Sequence, residues 1–164
     1  MIVTRALLNL MPRNIWVIKQ KPHHLIEVRF MQQTELEERY LREIEITDSK
    51  TVYREMRDIK NWDKEVFVAF YLDTQNKIIS REILSIGTLN YSVIHPREVF
   101  RTAIIRNAHS VIISHNHPSG NLEPSDEDIK TTKQLKKAGQ IIGIKLLDHV
   151  IVTEQGYYSF NDKQ

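Results

Sequence analysis

Runs of hydrophobic residues separated by polar turns predict several β-strands. Residues 65–72 are apolar at both alternating sets of positions, a pattern typical of a central strand that is covered on both faces. Residues 78–86 follow a polar turn and are predicted to return as the second strand of a hairpin. Residues 111–114 and 144–152 also have strand composition, and residues 156–160 predict a short edge strand.

Apolar residues at helical spacing predict helices between these strands. Thr47 or Asp48 is expected to cap the first, because short polar side chains are preferred at helix N-termini. Another helix is expected to begin at residues 95–96, where proline suits the first helical position. A third begins at Asp126, and Gly139 is predicted to end it. The alternation of helices with strands is compatible with a layered α/β domain.

Residues 1–46 have a different organisation and are interpreted as an N-terminal extension, a hairpin followed by a helix. Residues 15–18 and 25–30 have strand composition. Thr34 and Glu37 form a capping-box pattern that predicts the helix start. The hairpin combines basic and aromatic residues, which can serve nucleic-acid binding or simply a solvated sheet edge. Residues 47–164 are predicted to form the main domain.

Composition narrows the class of protein. Hydrophobic residues make up 41% and charged residues 27% of the chain, as in soluble globular proteins. The sequence contains no cysteine, which excludes disulfides, thiolate ligands and a cysteine nucleophile and fits a cytoplasmic location. No run approaches the roughly 18 apolar residues that span a bilayer, so no membrane partner is expected. The net charge of +2 does not by itself indicate a nucleic-acid partner.

The strongest candidate chemistry lies directly after the apolar run at 111–113. His115 and His117 occupy alternate positions of an extended segment, so their side chains can converge on one point. Asp128 lies one turn into the helix that Ser125 would cap. Two imidazoles and a carboxylate suit zinc, and three protein ligands leave a position open for water, as in catalytic sites. The Ser125–Asp128 spacing alone is equally a helix-capping pattern that needs no metal.

Two further positions stand out, with local explanations beside the functional ones. Glu65 begins the central strand, where a carboxylate is also explained as a solvent-facing end residue. Asp148 and His149 are adjacent within a predicted strand and therefore point to opposite faces. Carboxylates often orient ligating imidazoles, but for this pair we favour a structural role.

Several segments in the same order resemble one protein family. The chain is similar to the bacterial RadC family, and the histidine–serine–aspartate spacing resembles the JAMM (JAB/MPN) metalloprotease motif. The resemblance covers roughly residues 47–164 and rests on four segments: Gly87-Thr88-Leu89-Asn90, His95-Pro96-Arg97-Glu98-Val99-Phe100, His115-Asn116-His117-Pro118-Ser119-Gly120 and Leu146-Leu147-Asp148-His149. It implies an α/β layered sandwich with a mixed sheet between helices, the JAB/MPN and cytidine-deaminase-like fold.

The resemblance also implies a site and an activity. Zinc is expected on His115, His117 and Asp128, and the family's catalytic glutamate falls at the head of the central strand, on Glu65. Glu82 and Glu98 are the fallback candidates for this base. Ser125 is expected to donate a hydrogen bond to the developing oxyanion. The implied function is hydrolysis of a peptide or isopeptide amide, with a peptide or protein substrate as partner.

Two alternatives to the hydrolase stay open at this point. One is a DNA-associated module with a structural or vestigial metal site, because RadC-like proteins carry a DNA-repair label. Residues 1–46 show no helix-hairpin-helix signature, so nucleic acid is only weakly supported as a partner. The other is a His-Asn-His nuclease, which is disfavoured because it gives Ser125 and Asp128 no role.

Overall fold

The protein is described from a computed structural model, which covers residues 14–20, 26–32, 38–87 and 94–162. The chain divides into two compact units, Met1–Ile44 and Glu45–Gln164. Within the described residues, no helix combines the length and the apolar character needed to cross a membrane.

The first unit contains an antiparallel strand pair. Strand β1 (Asn14–Gln20) pairs with β2 (Ile26–Gln32), where a hairpin was predicted. The turn between them and the predicted helix start at Thr34 lie outside the described residues, and residues 38–41 form one helical turn. The interpretation of residues 1–46 as an N-terminal extension stays a prediction.

The second unit is built on a mixed five-stranded sheet in the order β4-β3-β5-β6-β7. Its strands are β3 (Glu65–Leu72), β4 (Ile78–Gly87), β5 (Ser110–Asn116), β6 (Lys145–Val152) and β7 (Tyr157–Ser159). Strands β5 and β6 are parallel, and the other neighbouring pairs are antiparallel. Every residue of β3 after Glu65 is buried, which confirms the prediction of a central strand covered on both faces.

Helices cover both faces of this sheet. They are α1 (Ser49–Glu55), α2 (Pro96–Ile105) and α3 (Asp126–Ile142). Asp148 of β6 accepts a hydrogen bond from Ser49 of α1, while the next residue, His149, contacts Thr132 of α3. Because adjacent strand residues point to opposite faces, α1 and α3 lie on opposite sides of the sheet. The predicted layered α/β sandwich is therefore confirmed.

The C-terminal end of α3 corrects one prediction. The helix continues past Gly139 to Ile142 and ends at Gly143, whose φ of 82° is the left-handed conformation common after helices. Gly139 has a packing role instead. A Cβ atom at this position would collide with the Ile144 carbonyl oxygen and press on the Phe100 ring. The residue is small because the chain returning to β6 passes directly over the helix.

Candidate metal centre

The carboxyl end of β5 and the first turn of α3 meet at one point. His115 is completely buried, and its Nε2 lies 2.9 Å from Nε2 of His117. The same His115 nitrogen lies 3.2 Å from Oδ1 of Asp128, and His117 Nε2 lies 3.5 Å from Oδ2. The structure thus brings together the three side chains that the sequence predicted as metal ligands.

The far side of the His117 ring is fixed by the loop that follows β5. Nδ1 of His117 lies 2.7 Å from the carbonyl oxygen of Asn121. A carbonyl oxygen can only accept, so Nδ1 must carry the proton in this contact. In a neutral ring, Nε2 then has a lone pair, and that lone pair is directed at His115 and Asp128.

Asp128 is held in place by the helix cap. Its Oδ2 accepts hydrogen bonds from the Ser125 backbone N–H at 2.8 Å and the Ser125 hydroxyl at 2.6 Å. The Asp128 backbone N–H donates to Ser125 Oγ at 3.2 Å, which completes a capping box. The helix cap and the cluster of candidate ligands are therefore both present, and Asp128 belongs to both. Ser125 donates its single hydroxyl proton to Asp128 in this arrangement. Donation from Ser125 to an oxyanion stays a prediction.

The electrostatics of the cluster suit a cation. Burial opposes ionisation of Asp128, but its contacts with His115, His117 and Ser125 outweigh this and lower its pKa well below the usual range. Burial also lowers the pKa of His117, but the hydrogen bonds with Asp128 and Asn121 and the charges of Asp128 and Glu65 raise it overall. Asp128 therefore stays ionised beside the two imidazoles, and a carboxylate in this setting could help to hold a cation.

Glu65 lies close enough to influence this cluster. Phe67 pairs with His115 across β3 and β5, and the two rings stack with centroids 4.3 Å apart. Glu65 is two residues before Phe67 and so points to the same face of the sheet. Its charge also contributes to the raised pKa of His117. The structure places Glu65, which is partly exposed, near the cluster, and its role as general base stays a prediction.

The two fallback carboxylates have other surroundings. Glu82 lies on β4, opposite Ala69 of β3, and its charge contributes to the raised pKa of Tyr71. Glu98 is exposed and pairs with its neighbour Arg97 at 3.0 Å. We therefore retain Glu65 as the candidate base.

Asn116, between the two histidines, faces away from them and binds the chain around Glu65. Its Oδ1 accepts from the Val66 backbone N–H at 2.8 Å. Its Nδ2 donates to the carbonyl oxygens of Trp62 and Lys64, at 3.2 Å and 3.0 Å. The buried amide thus fixes the backbone on both sides of Glu65 relative to the strand that carries the histidines.

Sequence reasoning missed the contact between His149 and the cluster. The buried His149 ring lies behind His115, with its Nε2 2.9 Å from His115 Nδ1. The ligand atoms of His115, Asp128 and His149 lie within 4.8 Å of one another, a grouping that could hold a metal ion. Asp148, its neighbour, accepts four hydrogen bonds on the other face, from Ser49 Oγ, His149 N, Ser159 Oγ and Asn161 N.

The donor geometry favours His117 over His149 as the third ligand. His115 and Asp128 are common to both sets. Nε2 of His115 faces Asp128 and His117, whereas His149 contacts the opposite ring nitrogen, Nδ1. One imidazole binds a metal through one nitrogen, so an ion shared by His115 and Asp128 would lie on the side of His117. Two imidazoles and a carboxylate are a donor set that fits zinc.

Comparison with known proteins identifies the family of the chain. Residues 46–164 match the family described as RadC-like JAB domain. The chain belongs to the RadC family. It is 52% identical over 108 residues to a UPF0758 protein of Desulforamulus reducens, covering 66% of this chain and 48% of that protein.

Further relatives give the same result. A UPF0758 protein of Geobacillus thermodenitrificans is 53% identical over 108 residues, with 66% of this chain and 48% of that protein covered. A UPF0758 protein of Methanosarcina mazei is 47% identical over 112 residues, with 68% and 48% covered. The RadC chain thus spans about half the length of the curated relatives it matches.

Proposed function

We propose that the RadC domain is a zinc-dependent hydrolase that cleaves a peptide or isopeptide amide bond. The observation that carries this proposal is the convergence of His115, His117 and Asp128. Ring nitrogens of two histidines and a carboxylate meet within 3.5 Å, while Asn121 accepts from the other nitrogen of His117. Such an arrangement of donor atoms suits a cation, and membership of the JAB family makes a hydrolytic metal site the natural use for it.

Zinc, when bound, supplies Lewis-acid polarisation and makes water acidic enough to attack near neutral pH. Glu65 accepts a proton from the attacking water and later gives it to the leaving nitrogen. Its position at the start of β3 suits this role, because the residue is partly exposed and accessible to solvent. Asn116 keeps that strand end aligned with the histidines.

Ser125 has two tasks in this proposal. It holds Asp128 through the capping box, and it donates to the oxyanion as the amide carbonyl becomes tetrahedral. A hydroxyl has one proton, so Ser125 must turn from the carboxylate toward the substrate for the second task. Ser125→Ala is therefore expected to lower turnover, and the loss of the Asp128 contact should also weaken metal binding.

Metal content is the first test. Protein purified without added metal is expected to contain about one zinc per chain, because structural and catalytic zinc sites of this donor type bind tightly. His117→Ala should lose the metal, whereas His109→Ala, a histidine at the opposite end of β5, should retain it. Absence of metal in the wild type, even after zinc is added back, would remove the hydrolase proposal.

Turnover measurements distinguish the proposed general base from the proposed metal ligands. Glu65→Gln should retain zinc and lose about 10²–10⁴-fold in turnover of peptide or isopeptide-linked substrates. Glu82→Gln and Glu98→Gln are matched controls that remove a carboxylate from the neighbouring strand and from α2. Wild-type activity in the Glu65 variant, or a comparable loss in either control, would contradict the base assignment.

DNA binding is the competing explanation if the turnover experiments detect no activity. A zinc-bound protein without turnover that binds DNA, with affinity falling steeply as salt rises, would favour the DNA-associated alternative. The hairpin β1–β2 carries the basic and aromatic residues concerned, so charge reversal of Lys19 and Arg29 is the variant to compare.

A further inference from the structure

A continuous path of buried hydrogen bonds runs behind the proposed ligands. His115 Nδ1 lies 2.9 Å from His149 Nε2, and His149 Nδ1 lies 2.6 Å from Thr132 Oγ1. Thr132 Oγ1 lies 2.6 Å from the backbone carbonyl oxygen of Asp128, one helical turn earlier. The path starts on one proposed ligand and ends on the main chain of another.

The donor and acceptor of each hydrogen bond follow from counting the available protons, beginning at the backbone carbonyl of Asp128. The Asp128 carbonyl oxygen can only accept, so the single hydroxyl proton of Thr132 is used on it. Thr132 Oγ1 can then only accept from His149. Nδ1 of His149 must therefore carry a proton.

The same count continues across the two rings. His149 is completely buried, and among the described residues no carboxylate hydrogen-bonds to its ring, so the neutral form is favoured. With its one proton on Nδ1, His149 offers the Nε2 lone pair to His115. His115 must then carry its proton on Nδ1. In a neutral His115 ring, Nε2 is then left unprotonated, and this is the nitrogen that faces Asp128 and His117.

We propose that His149 and Thr132 are positioning residues that fix the metal-binding tautomer of His115. The inference rests on the proposed zinc site and goes beyond it, because it assigns His149 a role other than ligand. Packing supports this assignment: the His149 ring stacks on Phe160, with centroids 4.9 Å apart and planes 7° apart, while His115 stacks on Phe67. Both rings are held in the orientation that the hydrogen bonds require.

The tautomers can be observed directly in the metal-free protein. Long-range ¹H–¹⁵N NMR of the imidazole rings is expected to show His149 with its single proton on Nδ1 and His115 with a proton on Nδ1, although free histidine prefers the other tautomer. Detection of a proton on Nε2 of His149 would overturn the proposal. This measurement needs no bound zinc and no substrate, so it decides the inference even if the hydrolase proposal fails.

Zinc affinity, measured by competition with a chromophoric chelator, distinguishes positioning from ligation. His149→Phe keeps a ring but removes both hydrogen bonds and should weaken zinc binding about 10–100-fold. His149→Gln can accept from His115 and donate to Thr132, and should recover most of that affinity. Thr132→Val should resemble the phenylalanine variant, and Thr132→Ser should resemble wild type.

Two patterns of results would contradict the inference. If His149→Gln loses zinc as completely as His117→Ala, then His149 is a ligand. If all four variants bind zinc like wild type and differ only in unfolding midpoint, then the path is merely structural. The absorption spectrum of the cobalt-substituted protein gives a second readout, because a changed ligand orientation at His115 shifts the metal's electronic bands while a general loss of stability does not.

Discussion

Replacing Asn116 with alanine tests how the strand carrying Glu65 is held against the strand carrying the histidines. The substitution removes three hydrogen bonds, to Val66 N–H and to the carbonyl oxygens of Trp62 and Lys64. At about 1 kcal/mol of net stability each, the expected loss is roughly 3 kcal/mol. The Val66 N–H is the costliest group to abandon, because Val66 is fully buried and its amide cannot reach water.

The assay is urea unfolding followed by circular dichroism, with Ser114→Ala as the matched control. Ser114 is a buried residue of the same strand that makes one side-chain hydrogen bond, to the Val150 carbonyl oxygen at 2.7 Å. With a denaturant slope of about 2 kcal/mol per M, the Asn116 variant should unfold about 1.5 M earlier than wild type. The control should shift by about one third of that, since it loses one bond rather than three.

Function provides an independent readout of the same change. Zinc binding should survive in Asn116→Ala, because none of the proposed ligands contacts the amide directly, whereas turnover should fall as Glu65 loses its alignment. The reasoning is refuted if Asn116→Ala and Ser114→Ala destabilise equally. It is also refuted if the Asn116 variant loses zinc but retains its stability.

Three further predictions follow from contacts around the site. In the metal-free protein, the raised pKa of His117 contributes stability that is complete below its ordinary value of 6.5 and is lost as pH rises through the raised value. Urea unfolding midpoints should therefore decline above about pH 6.5. His117→Gln should flatten this decline. Zinc at about 100 times its dissociation constant should stabilise the wild type by about 2.7 kcal/mol, seen as a higher melting temperature that Asp128→Asn does not show. Gly139→Ala should destabilise by about 1–3 kcal/mol, despite the better helix propensity of alanine, because the new methyl group meets the Ile144 carbonyl; no loss in thermal unfolding would contradict this.

The parts of the fold that depend on local pattern were predictable from sequence. Residues 65–72 are apolar at both alternating sets of positions, and β3 occupies those residues with both faces covered. The i, i+2 spacing of His115 and His117, together with the Ser125–Asp128 cap, was enough to bring the ligands together, because both signals act within one strand end and one helix turn.

The missed features depend on contacts between distant segments. Asp148 and His149 do point to opposite faces, as expected for neighbours on a strand, and Asp148 has the structural role that we favoured. That His149 reaches His115 depends on the parallel register of β5 and β6, in which Ile113 pairs with His149. Likewise, Gly139 and Gly143 have the same local signal for a helix end, but Gly143 terminates α3 while Gly139 leaves room for the Ile144 carbonyl.

The arrangement of the site along the chain has a consequence for the order of assembly. His115, His117 and Asp128 belong to one short stretch, the end of β5 and the start of α3, so closing that loop costs little conformational entropy. Glu65 joins only when β3 docks on β5. A nascent or partly folded chain could therefore capture zinc before its base is in place. Under the proposed function, metal binding would then precede catalytic competence during folding, so that an immature chain would carry the metal without cleaving its surroundings.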